Sequence, residues 1–342
     1  MASTPFPAEA ERRARLLGVK LRALLKRYWP EAEGAEPISV AGGMAVHLDE
    51  RAWALVDDTD SRKGFGRALL WGLHRGVTEL HVLVDHSPAV VGLARQAAAF
   101  RTSVTVWAVE GAEIERVDPE PLPPEPGLDP RAEPFVAVIE AAGAEPVVEW
   151  GTLHAEVLGL EVGRVFTDAD GASLEVGVGK HDRLGHQLLW GEQASAEALP
   201  RVVAIALQAR RSGDLGHPLN RIGRERWLRH RIVQEPNLIG AGPLNLIGPP
   251  VPLQDLRVPL LAPAKGTAED GGGVVVSCSI GFDPTFVPMA AELHAARGDD
   301  GTKLVLVLPE GDVHPLMRQA AADIQAEVTV RTVPDDWYLE IR

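Results

Sequence analysis

The sequence predicts an α/β protein with two related α-β halves flanking an inserted α+β middle domain, and three observations support this. Strand-length apolar runs alternate with helix-period segments at both ends of the 342-residue chain. Four short segments recur in the same order at the two ends. Two proline-rich stretches bracket a middle region with its own pattern.

At the N-terminal end, the spacing of Leu17, Leu21, Leu24, Leu25 and Tyr28 predicts a helix over Ala8–Tyr28 that Trp29-Pro30 ends. Strands follow at Met44–Leu48 and Ala52–Val56, joined by Asp49-Glu50-Arg51. Phe65–Arg75 reads as a helix closed by Gly76, Leu80–Val84 as a strand, Pro88–Phe100 as a helix and Val104–Val109 as a strand. Residues 1–118 thus form one α/β domain. Seven prolines make 119–134 a linker.

Residues 135–235 read as an α+β domain. Its strands lie near Pro146–Glu149, Leu153–Phe166 and Leu174–Gly179, with a tight turn at Asp170-Gly171 and helices near Ala196–Arg211 and Arg221–Val233. Residues 236–272, rich in Pro and Gly, read as a second linker. Over 273–342 the strands Val274–Cys278, Lys303–Leu308 and Glu327–Val333 alternate with helices Pro284–Ala296 and Pro315–Ile324.

This last stretch resembles residues 52–110. Leu80–Val84 matches Leu304–Leu308, Arg95-Gln96-Ala97-Ala98-Ala99 is repeated as Arg318-Gln319-Ala320-Ala321-Ala322, Val104-Thr105-Val106 returns as Val328-Thr329-Val330, and the preceding helices end at Arg75-Gly76 and Arg297-Gly298. Four matches in one order predict an internal duplication.

Composition limits the function classes. The net charge of −14 argues against a general polyanion binder, but its distribution is uneven. Residues 9–28 and 210–231 each carry +5, leaving −24 on the rest of this acidic chain. A single cysteine, Cys278, excludes an intrachain disulfide; with no apolar run of membrane-spanning length, the expected location is the cytoplasm and no membrane partner is expected.

The order α-β-β-α-β-α-β over residues 8–110, with Gly66-Arg67-Ala68-Leu69-Leu70 opening the helix after the second strand, resembles the restriction-endonuclease-like (PD-(D/E)XK) nucleases and the tRNA-splicing endonuclease-like domains. The resemblance implies a nuclease-like fold. In active members of that superfamily one strand ends in an acid and the next carries acid-x-Lys, the carboxylates holding Mg²⁺ and the lysine steadying the attacking water. Here the second strand reads Ala52-Trp53-Ala54-Leu55-Val56 and lacks that set. Asp57, Asp58, Asp60 and Lys63, just beyond it, are the nearest catalytic candidates and would use Mg²⁺ or Mn²⁺; turn and N-cap chemistry explains the same residues.

The middle domain supplies other candidates. Strand alternation puts His154 and Glu156 on one face, and with Glu175 they form a candidate metal set; Glu161, Lys180-His181-Asp182-Arg183 and His186 lie nearby. The string from His217 to Arg231 is the strongest candidate surface. A helix capped by Asn220 would present Arg221, Arg224, Arg229 and Arg231 near His217, and arginine forks beside helix N-terminal amides suit phosphate or carboxylate.

The expected function is therefore non-catalytic binding of DNA, RNA or another polyanion through arginine-rich helices. The alternatives are a metal-dependent nuclease or phosphodiester hydrolase, and a structural scaffold that forms homo-oligomers.

Overall fold

The computed structural model describes residues 7–57, 60–169, 171–179, 193–253 and 255–339. It is an α/β protein with three sheets. The chain divides into two compact units. The first comprises Met1–Leu122, Asp283–Ala296 and His314–Val328; the second comprises Pro123–Phe282, Arg297–Val313 and Thr329–Arg342.

The first unit holds a six-stranded sheet in the order β1 (Ile38–Val40), β2 (Gly43–Leu48), β3 (Arg51–Val56), β4 (Glu79–Asp85), β5 (Ser103–Glu110) and β6 (Glu113–Arg116). β2 and β3 pair antiparallel, β3, β4 and β5 run parallel, and β6 returns antiparallel. Helix α1 (Pro7–Tyr28) lays Leu21, Leu24 and Leu25 on Val46, Trp53, Leu55 and Leu83. Helices α2 (Ser61–Arg75) and α3 (Val90–Ala98) pack against β3, β4 and β5. Ala52 through Val56 are consecutively buried, as expected of a strand covered on both faces.

Two further helices belong to this unit, α7 (Phe286–Arg297) and α8 (Pro315–Asp323). Phe286 through Leu293 are all buried, so the first two turns of α7 are covered on every side and show no amphipathic stripe. Its Glu292, 3% exposed, receives Arg95 Nε at 2.7 Å and Gln96 Nε2 at 2.9 Å. Gln319, the counterpart of Gln96 in the repeated pentapeptide, donates to the Leu73 carbonyl of α2 at 2.6 Å. Between them Phe100 and Ile324 form an antiparallel bridge, with Arg101 N donating to Asp323 O at 2.7 Å and Gln325 N to Ala99 O at 2.9 Å. Each copy of Arg-Gln-Ala-Ala-Ala therefore reaches the helix that precedes the other copy, and small Ala97, Ala320 and Ala321 are buried beside it.

In the second unit, an antiparallel sheet runs in the order β10 (Ala172–Val176), β9 (Leu160–Thr167), β8 (Thr152–Val157) and β7 (Glu145–Glu149). Leu153, Ala155, Val157, Val162 and Leu174 pack with Ile139 of α4 (Pro134–Ala141) and with Leu199, Val203 and Ala206 of α5 (Gln193–Ser212). The other sheet runs β11 (Ala241–Leu246), β12 (Ala262–Ala268), β13 (Gly273–Cys278), β14 (Lys303–Pro309) and β15 (Val328–Val333). On it, Trp227, Leu228 and Ile232 of α6 (Arg224–Gln234) are buried with Val274, Val276 and Cys278. β12 and β13 pair antiparallel and β13 and β14 parallel, the same local order as β2, β3 and β4.

Several expectations change. The segment expected as one strand over 153–166 breaks at Leu158 and Gly159, both at positive φ, into a hairpin. A Cβ on Gly159 would meet the Arg226 carbonyl oxygen at 2.3 Å, so the turn also needs glycine for close approach to α6. The stretch expected as a second linker holds β11 and β12. Pro243 is tolerated because β11 is an edge strand whose register shifts around that residue. The strands of 273–342, apart from Val328, group with the second unit, whereas α8 and all of α7 but Arg297 group with the first. Asp170 of the expected turn lies outside the described residues; Asp168 N to Gly171 O at 2.9 Å closes the loop.

Candidate functional site

The two faces of the β7–β10 sheet differ in chemistry. One is the apolar core with α4 and α5. The register puts Glu149, Thr152, His154 and Glu156 together on the other. Four ionisable groups on this face, Glu149, His154, Glu156 and Glu161, are buried. Glu149 and Glu156 are neutralised from above by α6, whose Arg226 and Arg229, one turn apart, point to them while Trp227 and Leu228 point into the β11–β14 core.

The result is a closed ion-pair lattice. Arg226 bonds Glu156 at 2.6 Å and also Glu149; Arg229 bonds Glu149 at 2.7 Å and Glu156 at 3.3 Å. Burial alone would push the Glu149 carboxyl up, but the Arg226 and Arg229 guanidiniums outweigh it and hold the group below its ordinary value. Burial likewise pulls Arg226 down, and Glu156 and Glu149 more than reverse the effect. The cavity beside the lattice, lined by Glu149, Arg226, Arg229 and Leu256, has a volume of about 10 Å³, room for a single water. The lattice is a structural keystone: two charges of each sign satisfy each other beside a cavity with room for one water.

The metal candidates are consumed in the same way. Glu156 belongs to the lattice, His154 Nδ1 lies 3.0 Å from Glu161, and Glu175 receives Arg164 Nε at 3.4 Å. Among the described residues, no three His, Cys, Asp or Glu side chains are arranged to hold a metal ion. Lys180 through Arg183 and His186 lie outside the described residues.

The six residues expected to bind a polyanion do not share one exposed face. Arg229 is buried in the lattice, and Arg231 is buried with Glu235 at 2.6 Å. Asn220 is not the helix cap. It is fully buried in a 3-10 turn over Pro218–Arg221, where its Nδ2 donates to the carbonyls of Ala209 and Asp214. His217 caps that turn, its Nδ1 accepting from Leu219 N. The helix starts later, at Arg224, behind Gly223 in the left-handed conformation. Arg221 is exposed and donates to the Leu215 carbonyl; Arg224 is partly exposed. The physical reason is the lattice: α6 turns its charged residues inward to meet glutamates far away in sequence.

Asp57, Asp60 and Lys63 serve local structure. Asp60 caps α2 by accepting from Lys63 N, with Lys63 Nζ 3.2 Å from its carboxylate, and Asp57 pairs with Arg13 of α1. Asp58 lies outside the described residues. Gly66 is explained by packing, since a Cβ there would meet the Pro284 carbonyl oxygen at 2.1 Å. Cys278 is fully buried, which pushes its thiol up to about 12.

The other basic window stays outside. Along α1, Arg13 and Lys20 point to the ends of β3 and β4, pairing with Asp57 and with Asp85 at 2.5 Å. Arg12, Arg15, Leu16, Val19, Arg22, Ala23 and Lys26 form the outer face at helical spacing, and all seven are exposed. Leu16 and Val19 are each 57% exposed. Arg22 and Lys26 pair with Glu36 and Glu33 at the surface, whereas Arg12 and Arg15 make no ion pair among the described residues.

Sequence reading missed one cluster under α1. His81 stacks on Trp53 with centroids 5.5 Å apart, accepts from Trp107 Nε1 at Nδ1 (3.2 Å) and places Nε2 3.2 Å from Glu79. Burial lowers the His81 pKa against the opposing pull of Glu79. The signal was aromatic residues at one-face positions of neighbouring strands: Trp53 pairs with His81 in the register, and Trp107 lies two residues beyond Thr105, the partner of His81. Comparison with family models, with curated proteins and with solved structures found no match to this chain.

Proposed function

We propose that this chain is a non-catalytic binding protein that engages a polyanion, DNA or RNA first of all, through the outer face of α1. The observation that carries the reading is the placement of Arg12 and Arg15, exposed and without ion-pair partners among the described residues, beside Leu16 and Val19. Arg22, Lys26 and Arg27 extend the charge, and their exposed pairs with Glu36, Glu33 and Glu113 exchange for phosphate at little cost. The acidic remainder restricts contact to this one stripe. Fluorescence anisotropy with single- and double-stranded DNA and RNA at about 50 and 200 mM salt tests it: binding should weaken with salt, and Arg12→Ala with Arg15→Ala should flatten the salt slope by roughly 2. No binding at the lower salt contradicts the reading.

A second reading, a scaffold, is favoured by the reciprocal contacts of Gln96 with Glu292 and Gln319 with Leu73. If the repeat is a duplication, these contacts do within one chain what a homo-oligomer does between chains. Light scattering at 36.7 kDa supports that view, and a multiple of that mass supports assembly of copies.

A further inference from the structure

We propose that Arg210 and Arg224, at the N-terminal end of α6, form a binding site for one small tetrahedral oxyanion of the phosphate or sulfate class. This site is separate from the α1 surface and does not depend on it. Arg210 projects from α5 and is 0% exposed. Its Nη2 donates to the Ile222 carbonyl at 2.8 Å, which fixes the guanidinium two residues before Arg224. Its Cζ lies over the Trp227 ring, 4.2 Å from the centroid. Nε and Nη1 of Arg210 are buried with no hydrogen-bond partner, and so is Nε of Arg224.

Such an arrangement suits an anionic partner. A buried guanidinium with two idle donors is costly, and a second guanidinium nearby raises the cost. Burial first, and Arg224 second, pull Arg210 down to about 9. Two carboxylates act on it from a distance, Glu156 and Glu225. Neither bonds its idle nitrogens, and Glu156 is already held by Arg226 and Arg229. Gly223 supplies no side-chain cap to α6, and the Arg210 guanidinium is held at this end of the helix by the Ile222 carbonyl and the Trp227 ring. Guanidinium edges and a helix N-terminus together suit a tetrahedral oxyanion, and partly exposed Arg224 provides the solvent side.

Calorimetric titration of the full chain with inorganic phosphate, at an ionic strength fixed with chloride, tests the site. One site per chain is expected, with Tm rising by about 3 °C at roughly tenfold excess over Kd. Arg224→Gln, at a partly exposed position, should fold normally and weaken phosphate at least tenfold. Arg210→Met should abolish the phosphate-dependent rise, and its anion-free Tm should not fall, because an unpartnered buried charge has gone. Arg221→Ala, and Arg12→Ala with Arg15→Ala, should leave phosphate binding unchanged, which separates this site from the α1 surface. Adenosine monophosphate that competes with phosphate would show that the site takes a phosphoryl group on a larger ligand; phosphate binding without such competition assigns it to the free ion. Absence of saturable phosphate binding, or binding that survives both Arg224→Gln and Arg210→Met, overturns the proposal.

Discussion

Residues 9–28 and residues 210–231 carry the same net charge and meet opposite fates. In the first window the apolar residues of α1 settle on the β2–β5 face and the arginines are left outside. In the second, the helix lies between a sheet face lined with buried glutamates and an apolar sheet, so Arg226 and Arg229 go inside with Trp227 and Leu228. Charge along a sequence therefore states how many ions must be solvated or paired. Which of the two occurs depends on what lies opposite, and in the second window Glu149 and Glu156 lie 70 or more residues away from their partners.

Breaking the lattice should have the largest effect. Arg229→Ala leaves Glu149 and Glu156 short of a partner and should cost about 3–5 kcal/mol, read as a loss of denaturation midpoint. Replacing all four members together, Glu149→Leu, Glu156→Leu, Arg226→Met and Arg229→Met, should cost far less than the single change, because no charge is left unpaired. A quadruple variant less stable than Arg229→Ala would show that the lattice contributes more than mutual neutralisation.

Acid should separate the windows next. The pKa of His81 beneath α1 is lowered on folding, so the unfolded chain binds more protons below 6.5. Its contribution is full above that value and is lost as pH falls through the lowered folded value. Glu149 is also lowered, from 4.5, so the lattice keeps its contribution down to more acid conditions and loses it as pH falls through the folded value. Thermal melts across pH 7 to about 4, followed by hydrogen exchange, should show α1 losing protection before α6. The smallest stability effect belongs to the outer face: Arg12→Ala and Arg15→Ala should each change stability by less than about 0.5 kcal/mol while weakening polyanion binding.

Much of the fold was legible because local patterns and core demands agreed. The leucines of α1, the apolar strands β3, β4 and β5, and the alternation β13-α7-β14-α8-β15 could all be read from period and punctuation. Strands β11 and β12 were hidden because Pro243 and the surrounding glycines usually mark loops, and only an edge position with a register shift accommodates them. Helix α4 was hidden because Pro134, read as the end of a linker, instead occupies its first position. The candidate sites were less legible. Arg229 and Arg224 look alike in sequence, yet one is buried and locked to two carboxylates while the other is partly exposed at the start of α6. Glu156 and His154 suggested metal ligands because alternation gives the face but not what covers it.

The central claim is that the arginines of the first basic window lie at the surface while Arg210, Arg226 and Arg229 of the second lie inside, and arginine-selective modification with phenylglyoxal, mapped by peptide mass spectrometry, tests it most directly. Under native conditions Arg12, Arg15 and Arg22 should react readily, while Arg210, Arg226 and Arg229 stay protected until the chain is unfolded. Modification of Arg226 and Arg229 at rates matching Arg12 and Arg15 in the folded protein would contradict it.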